Sequence, residues 1–169
     1  TPLEINIHLP NGLAATQYTS LTNYPTQLIV DSNDRVIVGL SDGRVYRFNT
    51  TANDGVESVA ISSLQQINSL DLDDDDNILV GTSNGRLHII SEETFTETAA
   101  YATSNKVIKS WQGDGNKVYV MTQFSETVKV RLFDIDTDGD GVGDSIDLFP
   151  NDSTQFADSD GDGYGDYQS

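Results

Sequence analysis

Near the C-terminal end of the chain, carboxylates recur at a spacing that suits a metal ion. Asp136-Thr-Asp138-Gly-Asp140-Gly-Val142-Gly-Asp144-Ser-Ile-Asp147 puts aspartates at positions 1, 3, 5, 9 and 12 of a twelve-residue loop, with Gly141 at position 6. Calcium takes about six to eight oxygen ligands, and this is the spacing with which a short loop supplies them. Asp136, Asp138 and Asp140 fall on one side of a tight turn that Gly141 lets reverse. Val142 offers its backbone carbonyl, and Asp144 reaches the ion directly or through a water. Asp147 closes the loop with a shorter arm than the glutamate usual at that place, which makes two-oxygen closure harder. The pattern recurs 22 residues on, as Asp158-Ser-Asp160-Gly-Asp162-Gly-Tyr164-Gly-Asp166. The corresponding ligands there are Asp158, Asp160, Asp162, the Tyr164 carbonyl and Asp166. Position 12 is Ser169, a poor ligand, so the second site is expected to be the weaker. Asp134, Asp152 and Gln155 are candidates to bridge the loops.

Charge points the same way. The 169 residues carry a formal net charge of −18. Residues 134–169 hold eleven Asp and no Lys or Arg, so they account for −11 of it. The first 133 residues, with sixteen acidic and nine basic side chains, account for −7. Such a field repels nucleic acid and anionic membrane and attracts divalent cations. A solvated acidic tail is the alternative; the regular interleaving of glycines argues against it. Eleven carboxylates with no core to compensate imply a tail that is disordered until calcium binds.

Other chemistry finds little support. Asp71-Leu-Asp73-Asp-Asp-Asp76 is acidic but lacks the glycine at position 6, and reads as a solvated turn. His8 and His88 have no partner at metal-ligand spacing and read as structural. Trp111 and Tyr119 have the ring faces to stack on a sugar, although isolated aromatics in strands usually pack inside. No G-x-S-x-G nucleophile motif and no G-K-[ST] phosphate loop occurs, so no catalytic residue is assigned and the chain is expected not to be an enzyme. There is no cysteine, which removes disulfides and leaves the redox compartment unread. No apolar run approaches the ~18 residues of a membrane span. The sequons Asn49-Thr-Thr51 and Asn151-Asp-Ser153 are treated as chance.

The elements that must position these residues read as all-β. Residues 3–8 alternate as a strand, and 9–24 are rich in Pro, Asn, Gly, Thr and Ser and read as a loop. Then hairpins follow with a period. Strands over 26–31, 35–40, 44–49 and 56–61 make one unit, with Ser41-Asp-Gly43 as its hairpin turn. Strands over 67–72, 77–82 and 86–90, with a weaker outer strand over 95–99, make a second, closed by Ser83-Asn-Gly85. A third runs over 106–111, 117–122 and 127–133. Asn-Gly and Asp-Gly between alternating runs mark hairpins, because glycine accepts the positive φ. Val36-Ile-Val-Gly-Leu-Ser-Asp-Gly-Arg-Val-Tyr46 aligns with Ile78-Leu-Val-Gly-Thr-Ser-Asn-Gly-Arg-Leu-His88 at an offset of 42. Four short strands per ~40–45 residues is the blade repeat of a β-propeller. About three blades (25–62, 66–104 and 105–133) do not close a ring, so further blades lie upstream or partner chains complete it. A β-sandwich of hairpins is the alternative fold.

Two resemblances follow from these residues. Over about 25–133 the blocks resemble propeller repeats of the bacterial two-component-regulator type. Their D-x-x-G-N-L-W-x-G-T-x-x-G-L pattern is echoed by Asp76-Asn-Ile-Leu-Val-Gly-Thr-Ser-Asn-Gly-Arg-Leu87, with Val38 or Leu79 where tryptophan is usual. Signatures of the WD type are missing. Over 134–166 the two D-x-D-G-D-G-x-G-D copies and the connector Asp147-Leu-Phe-Pro-Asn-Asp152 resemble thrombospondin type 3 repeats in cysteine-free bacterial form. That resemblance implies a module of little regular structure wound around calcium ions. Ile146 and Phe149 stand about where animal members carry cysteines, which implies greater dependence on the ion.

The expected organisation is a propeller-like β domain over 1–133 and a calcium-binding tail over 134–169. The expected function is a secreted or cell-surface bacterial protein whose blades form an interaction or adhesion scaffold, with a protein or glycan partner, and whose tail is a calcium-stiffened tether. Extracellular calcium modules work at ~10⁻⁴–10⁻³ M, which favours secretion, and the absence of an N-terminal Met suggests processing or a larger parent. Self-assembly through open blade edges into a homo-oligomer or filament is one alternative. Membership of a larger propeller enzyme with its catalytic residues outside this chain is the other.

Overall fold

The computed structural model describes residues 3–7, 16–21, 23–48, 56–113, 117–144, 146–155, 157–159 and 164–165. Among them the regular structure is all β, in antiparallel sheets and without a helix. A two-stranded sheet pairs β1 (Leu3–Ile7) with β2 (Thr16–Leu21). The first blade is β3 (Pro25–Val30), β4 (Val36–Leu40), β5 (Arg44–Phe48) and β6 (Val56–Ala60), hydrogen-bonded in that order. The second is β7 (Ile67–Leu72), β8 (Ile78–Thr82), β9 (Arg86–Ile90) and β10 (Glu97–Ala102), again in chain order. The third has three strands, β11 (Lys106–Gln112), β12 (Lys117–Phe124) and β13 (Thr127–Asp134). The innermost strands β3, β7 and β11 lie side by side, so the blades stack face to face and the ring is not closed.

The stacking explains the sequence of the second strands. Val36-Ile-Val-Gly-Leu40 and Ile78-Leu-Val-Gly-Thr82 are buried at every position, because a blade in a stack has apolar neighbours on both faces. One core joins blades one and two: Ile37, Val45 and Ile61 meet Leu70, Ile78, Val80 and Ile90. Another joins blades two and three: Leu79, Leu87 and Ile89 meet Val107, Val118 and Val120. The glycine shared by both blocks is required by this packing. A Cβ on Gly81 would fall 2.3 Å from Cγ1 of Val107, and one on Gly39 would fall 2.7 Å from Cγ2 of Ile67. Each glycine thus admits the first strand of the next blade.

Turns repeat with the strands. Asp31 Oδ1 accepts the backbone N–H groups of Asn33 and Arg35 at 3.0 and 2.8 Å. Asp73 Oδ1 accepts those of Asp75 and Asn77 at 3.0 and 2.8 Å. Both turns end on a positive-φ aspartate, Asp34 at 58° and Asp76 at 61°. His88 is buried as a structural residue, hydrogen-bonded to Glu97 Oε1 at 2.9 Å and Ser63 Oγ at 3.0 Å.

Three readings of the strands are corrected. Residues 16–21 form β2 where a loop is predicted, because Thr and Tyr suit a strand better than their polarity suggests. The outer strand of blade two is Glu97–Ala102 rather than 95–99; Phe95 has φ 50° and its ring is buried against blade one. Trp111 and Tyr119 do not pack in a core but stack on each other, ring centres 5.7 Å apart, on the open face of blade three. His8, Asn53-Asp-Gly55 and most of the predicted turn at 113–115 lie outside the described residues.

Candidate metal centre

The loop begins where the blades end. Asp134 is the last residue of β13, and Ile135 packs against the core between blades two and three. Asp136 therefore stands at the rim of that core. Its backbone carbonyl accepts a hydrogen bond from the Tyr101 hydroxyl on β10, at 3.3 Å. From there the carboxylates organise the turn. Asp136 accepts from Gly139 N at 2.8 Å and Gly141 N at 3.0 Å. Asp138 Oδ1 accepts from Asp140 N at 3.2 Å, and Asp140 Oδ1 from Val142 N at 2.7 Å. Gly139 and Gly141 have φ of 79° and 96° with open space around both, so backbone conformation rather than crowding calls for glycine. The loop returns to its start when Asp144 N donates to the Ile135 carbonyl at 2.6 Å.

Carboxylate oxygens of Asp136, Asp138 and Asp140 all lie within 4.8 Å of one another. Asp147 is 7% exposed; its Oδ1 accepts from Phe149 N at 2.8 Å. Oδ2 of Asp147 and Oδ2 of Asp138 are both sealed from solvent without a hydrogen-bond donor among the described residues. The Asp138 carboxyl is held above the usual carboxylate range, first by desolvation and then by the negative charges of Asp140, Asp147 and Asp136. Asp136, Asp138 and Asp140 form an all-oxygen, acidic donor set, which fits a hard divalent cation; Asp147 stands outside that group of three but close enough for its charge to act on Asp138.

Not every predicted ligand faces this cluster. The Asp144 carboxylate accepts from Thr137 N at 2.8 Å and Thr137 Oγ1 at 2.6 Å. Val142 is placed at the turn by its own N–H. Of the second loop, Asp158 and Tyr164 are described; Asp160, Asp162 and Asp166 are outside the described residues. The connector is tied together by side chains. Gly165 N donates to Gln155 Oε1 at 2.6 Å, and Gln155 Nε2 donates to Asp152 Oδ2 at 3.0 Å. Asp152 is held below the usual range by its hydrogen bonds from Thr154.

Sequence reasoning missed how the loop meets the blades. A cavity of about 270 Å³ lies between them, lined by Asp73, Asn77 and Tyr101 on blade two and by Ile135, Asp136 and Asp144 on the loop. Tyr101 and Ile135 carry no motif; the available signal for Tyr101 was its place between exposed Ala100 and Ala102 in the alternation of β10, and Ile135 follows the end of β13. Burial in this setting pushes the Asp73 carboxyl up against hydrogen bonds from Asn77 that pull it down.

Blades of antiparallel strands stacked around an axis define the β-propeller class, here as an incomplete ring with an irregular acidic tail. Comparison with solved structures agrees. The RRP9 WD40 repeats superpose with a TM-score of 0.58 at 12% identity, over 67% of this chain and 36% of that one. The U3-55K structure gives a TM-score of 0.57 at 11% identity, over 67% of this chain and 37% of that one. The chain thus spans about a third of the length of each, and the likeness is one of fold although WD signatures are missing. No protein-family model and no curated protein matches the chain.

Proposed function

We propose that the chain is a calcium-binding, non-catalytic scaffold from an extracellular or cell-surface protein, with blades that carry an interaction face and a tail that calcium stiffens into a tether. Support for the ion rests on one observation above all: Asp138, grouped with Asp136 and Asp140, holds a buried carboxylate oxygen without a donor among the described residues, and Asp147 holds another. Asp136, Asp138, Asp140 and Asp147 would hold the ion, with the Val142 carbonyl and Asp144 as the remaining loop positions. The ion would supply charge neutralisation and cross-linking, not reaction chemistry. The resemblance of the tail to thrombospondin type 3 repeats favours calcium over other divalent ions and extends the reading to the second loop through Asp158, Asp160, Asp162, Tyr164 and Asp166. Amide spectra of the tail glycines on adding millimolar calcium test this: large shifts for Gly139 and Gly141 are expected, and unchanged spectra would exclude the site.

A second reading, self-association, is favoured by the open face of blade three. Val130 and Leu132 pair with Met121 and Tyr119 as Leu87 and Ile89 pair with Gly81 and Leu79 in blade two. Yet Val130 and Leu132 are 54% and 52% exposed where Leu87 and Ile89 are 1% and 6%. Half of a blade–blade interface is therefore uncovered, and an apolar face of this kind invites a partner.

A further inference from the structure

We infer that the calcium loop also clamps blade three onto blade two, so that the ion regulates the scaffold and not only the tail. The inference rests on the calcium reading above and adds what the ion controls. Blade three is the one that needs support. In blades one and two the third strand is held by a fourth, β5 by β6 and β9 by β10. β13 has no such neighbour among the described residues and forms the edge of its sheet. An edge strand without a partner frays more readily than a central one.

The loop takes over at the end of that strand. Ile135 packs into the cluster shared by Leu79, Leu87 and Ile89 of blade two and Val107, Val118 and Val120 of blade three. One residue later, the Asp136 carbonyl is fixed to blade two by the Tyr101 hydroxyl. The far end of the loop returns to the same place: Asp144 N bonds the Ile135 carbonyl at 2.6 Å, and Gly143 lies so close that a Cβ there would come within 2.4 Å of Asp134 Cγ. Entry and exit of the ion-binding loop are thus both fastened to Ile135 and its neighbours. Holding Asp136, Asp138, Asp140 and Asp147 around one cation fixes Ile135 in the inter-blade core. Losing the cation leaves Asp136, Asp138 and Asp140 repelling one another at this seam, with Asp147 adding its charge to that on Asp138, and β13 is then the strand released first.

Trp111 is the one tryptophan of the chain and lies on β11 of blade three, so its fluorescence reports the unfolding of that blade. The full chain is melted with and without calcium, and calcium binding is measured on the same sample by calorimetry. At calcium about a hundredfold above its Kd, full coupling raises the Trp111 midpoint by about 5–10 °C. Asp147→Asn abolishes the rise. Tyr101→Phe, which keeps the ring and removes the hydroxyl, reduces it by about 1–6 °C. Heat of binding with a Trp111 midpoint that moves by less than about 1 °C overturns the clamp and leaves the calcium site standing. Absence of binding heat at millimolar calcium overturns both.

Discussion

Asp147→Asn changes one charge and almost no shape, and calcium offsets the stability that it gains without calcium. Asp147 Oδ1 accepts from Phe149 N at 2.8 Å, a bond that the asparagine carbonyl retains. Oδ2 has no donor among the described residues and the residue is 7% exposed. A buried acceptor left unsatisfied costs about 1–3 kcal/mol, and a charged one more. The amide removes that charge, and with it the repulsion that Asp147 exerts on Asp138. Without calcium the variant is therefore stabilised by about 1–3 kcal/mol, or about 2–12 °C in midpoint for a chain of this size. With calcium it loses one charge of the proposed ligand set. Even outer-sphere partners are worth about 10–100-fold in metal affinity, so a fall of at least about 100-fold is expected, equivalent to about 2.7 kcal/mol. Thermal unfolding by near-ultraviolet dichroism in EDTA and in millimolar calcium reads both arms. A variant that is destabilised equally in both buffers would refute the reasoning and make Asp147 a purely structural turn residue.

Three further outcomes are expected. Gly81→Ala drives a Cβ into Val107 and Ser69, and overpacking of this kind costs about 1–3 kcal/mol, seen as a lower urea midpoint with an unchanged slope. Glu97 is partly desolvated, which alone would raise its pKa, but hydrogen bonds from His88 and Ser62 prevail and hold it below 4.5. Its contribution is fully present above 4.5 and disappears as pH falls through the lower folded value, so Glu97→Gln should flatten the loss of melting temperature between pH 5 and 3. Val130→Lys places a charge in the centre of the open face of blade three; if that face drives self-association, light scattering after size exclusion shows a shift to monomer, and a wild-type chain that is monomeric at every concentration removes that reading.

Most of the blade architecture was legible because two independent signals coincide in it. Asp42-Gly43 and Asn84-Gly85 mark the hairpins, and Gly43 and Gly85 have φ of 82° and 80° as those turns require. The uninterrupted apolar runs at 36–38 and 78–80 mark strands covered on both faces. β2 was not legible, since Thr16-Gln-Tyr-Thr-Ser-Leu21 has the composition of a loop and the pairing of a strand, and only its partner β1 decides. The start of β10 was misread because Phe95 is apolar for a tertiary reason: its ring lies under the Arg47 guanidinium at 4.4 Å. At the site, spacing alone identified the Asp136, Asp138 and Asp140 group. Nothing local could tell that the Asp144 carboxylate turns to Thr137, or that Tyr101, thirty-five residues upstream of Asp136, would hold the loop.

The two acidic clusters show what spacing leaves out. Asp73 and Asp138 both open a turn by accepting the backbone N–H two residues on, and by sequence both sit among aspartates. They differ in how their oxygens are used. Asp73 also takes Asn77 N on Oδ1 and Asn77 Nδ2 on Oδ2 at 2.9 Å, so both oxygens are satisfied by protein donors. Asp138 uses Oδ1 and leaves Oδ2 sealed without a donor among the described residues, under the charge of Asp147. A carboxylate whose oxygens are satisfied by its own turn gains little from a cation that must first displace those bonds. One with a buried oxygen and no donor is destabilised until a cation arrives. Hydrogen-bond saturation, rather than the density of acidic residues, therefore separates the turn in blade two from the loop at its edge, and it is the reason the proposed ion is assigned to 136–147 and not to 73–76.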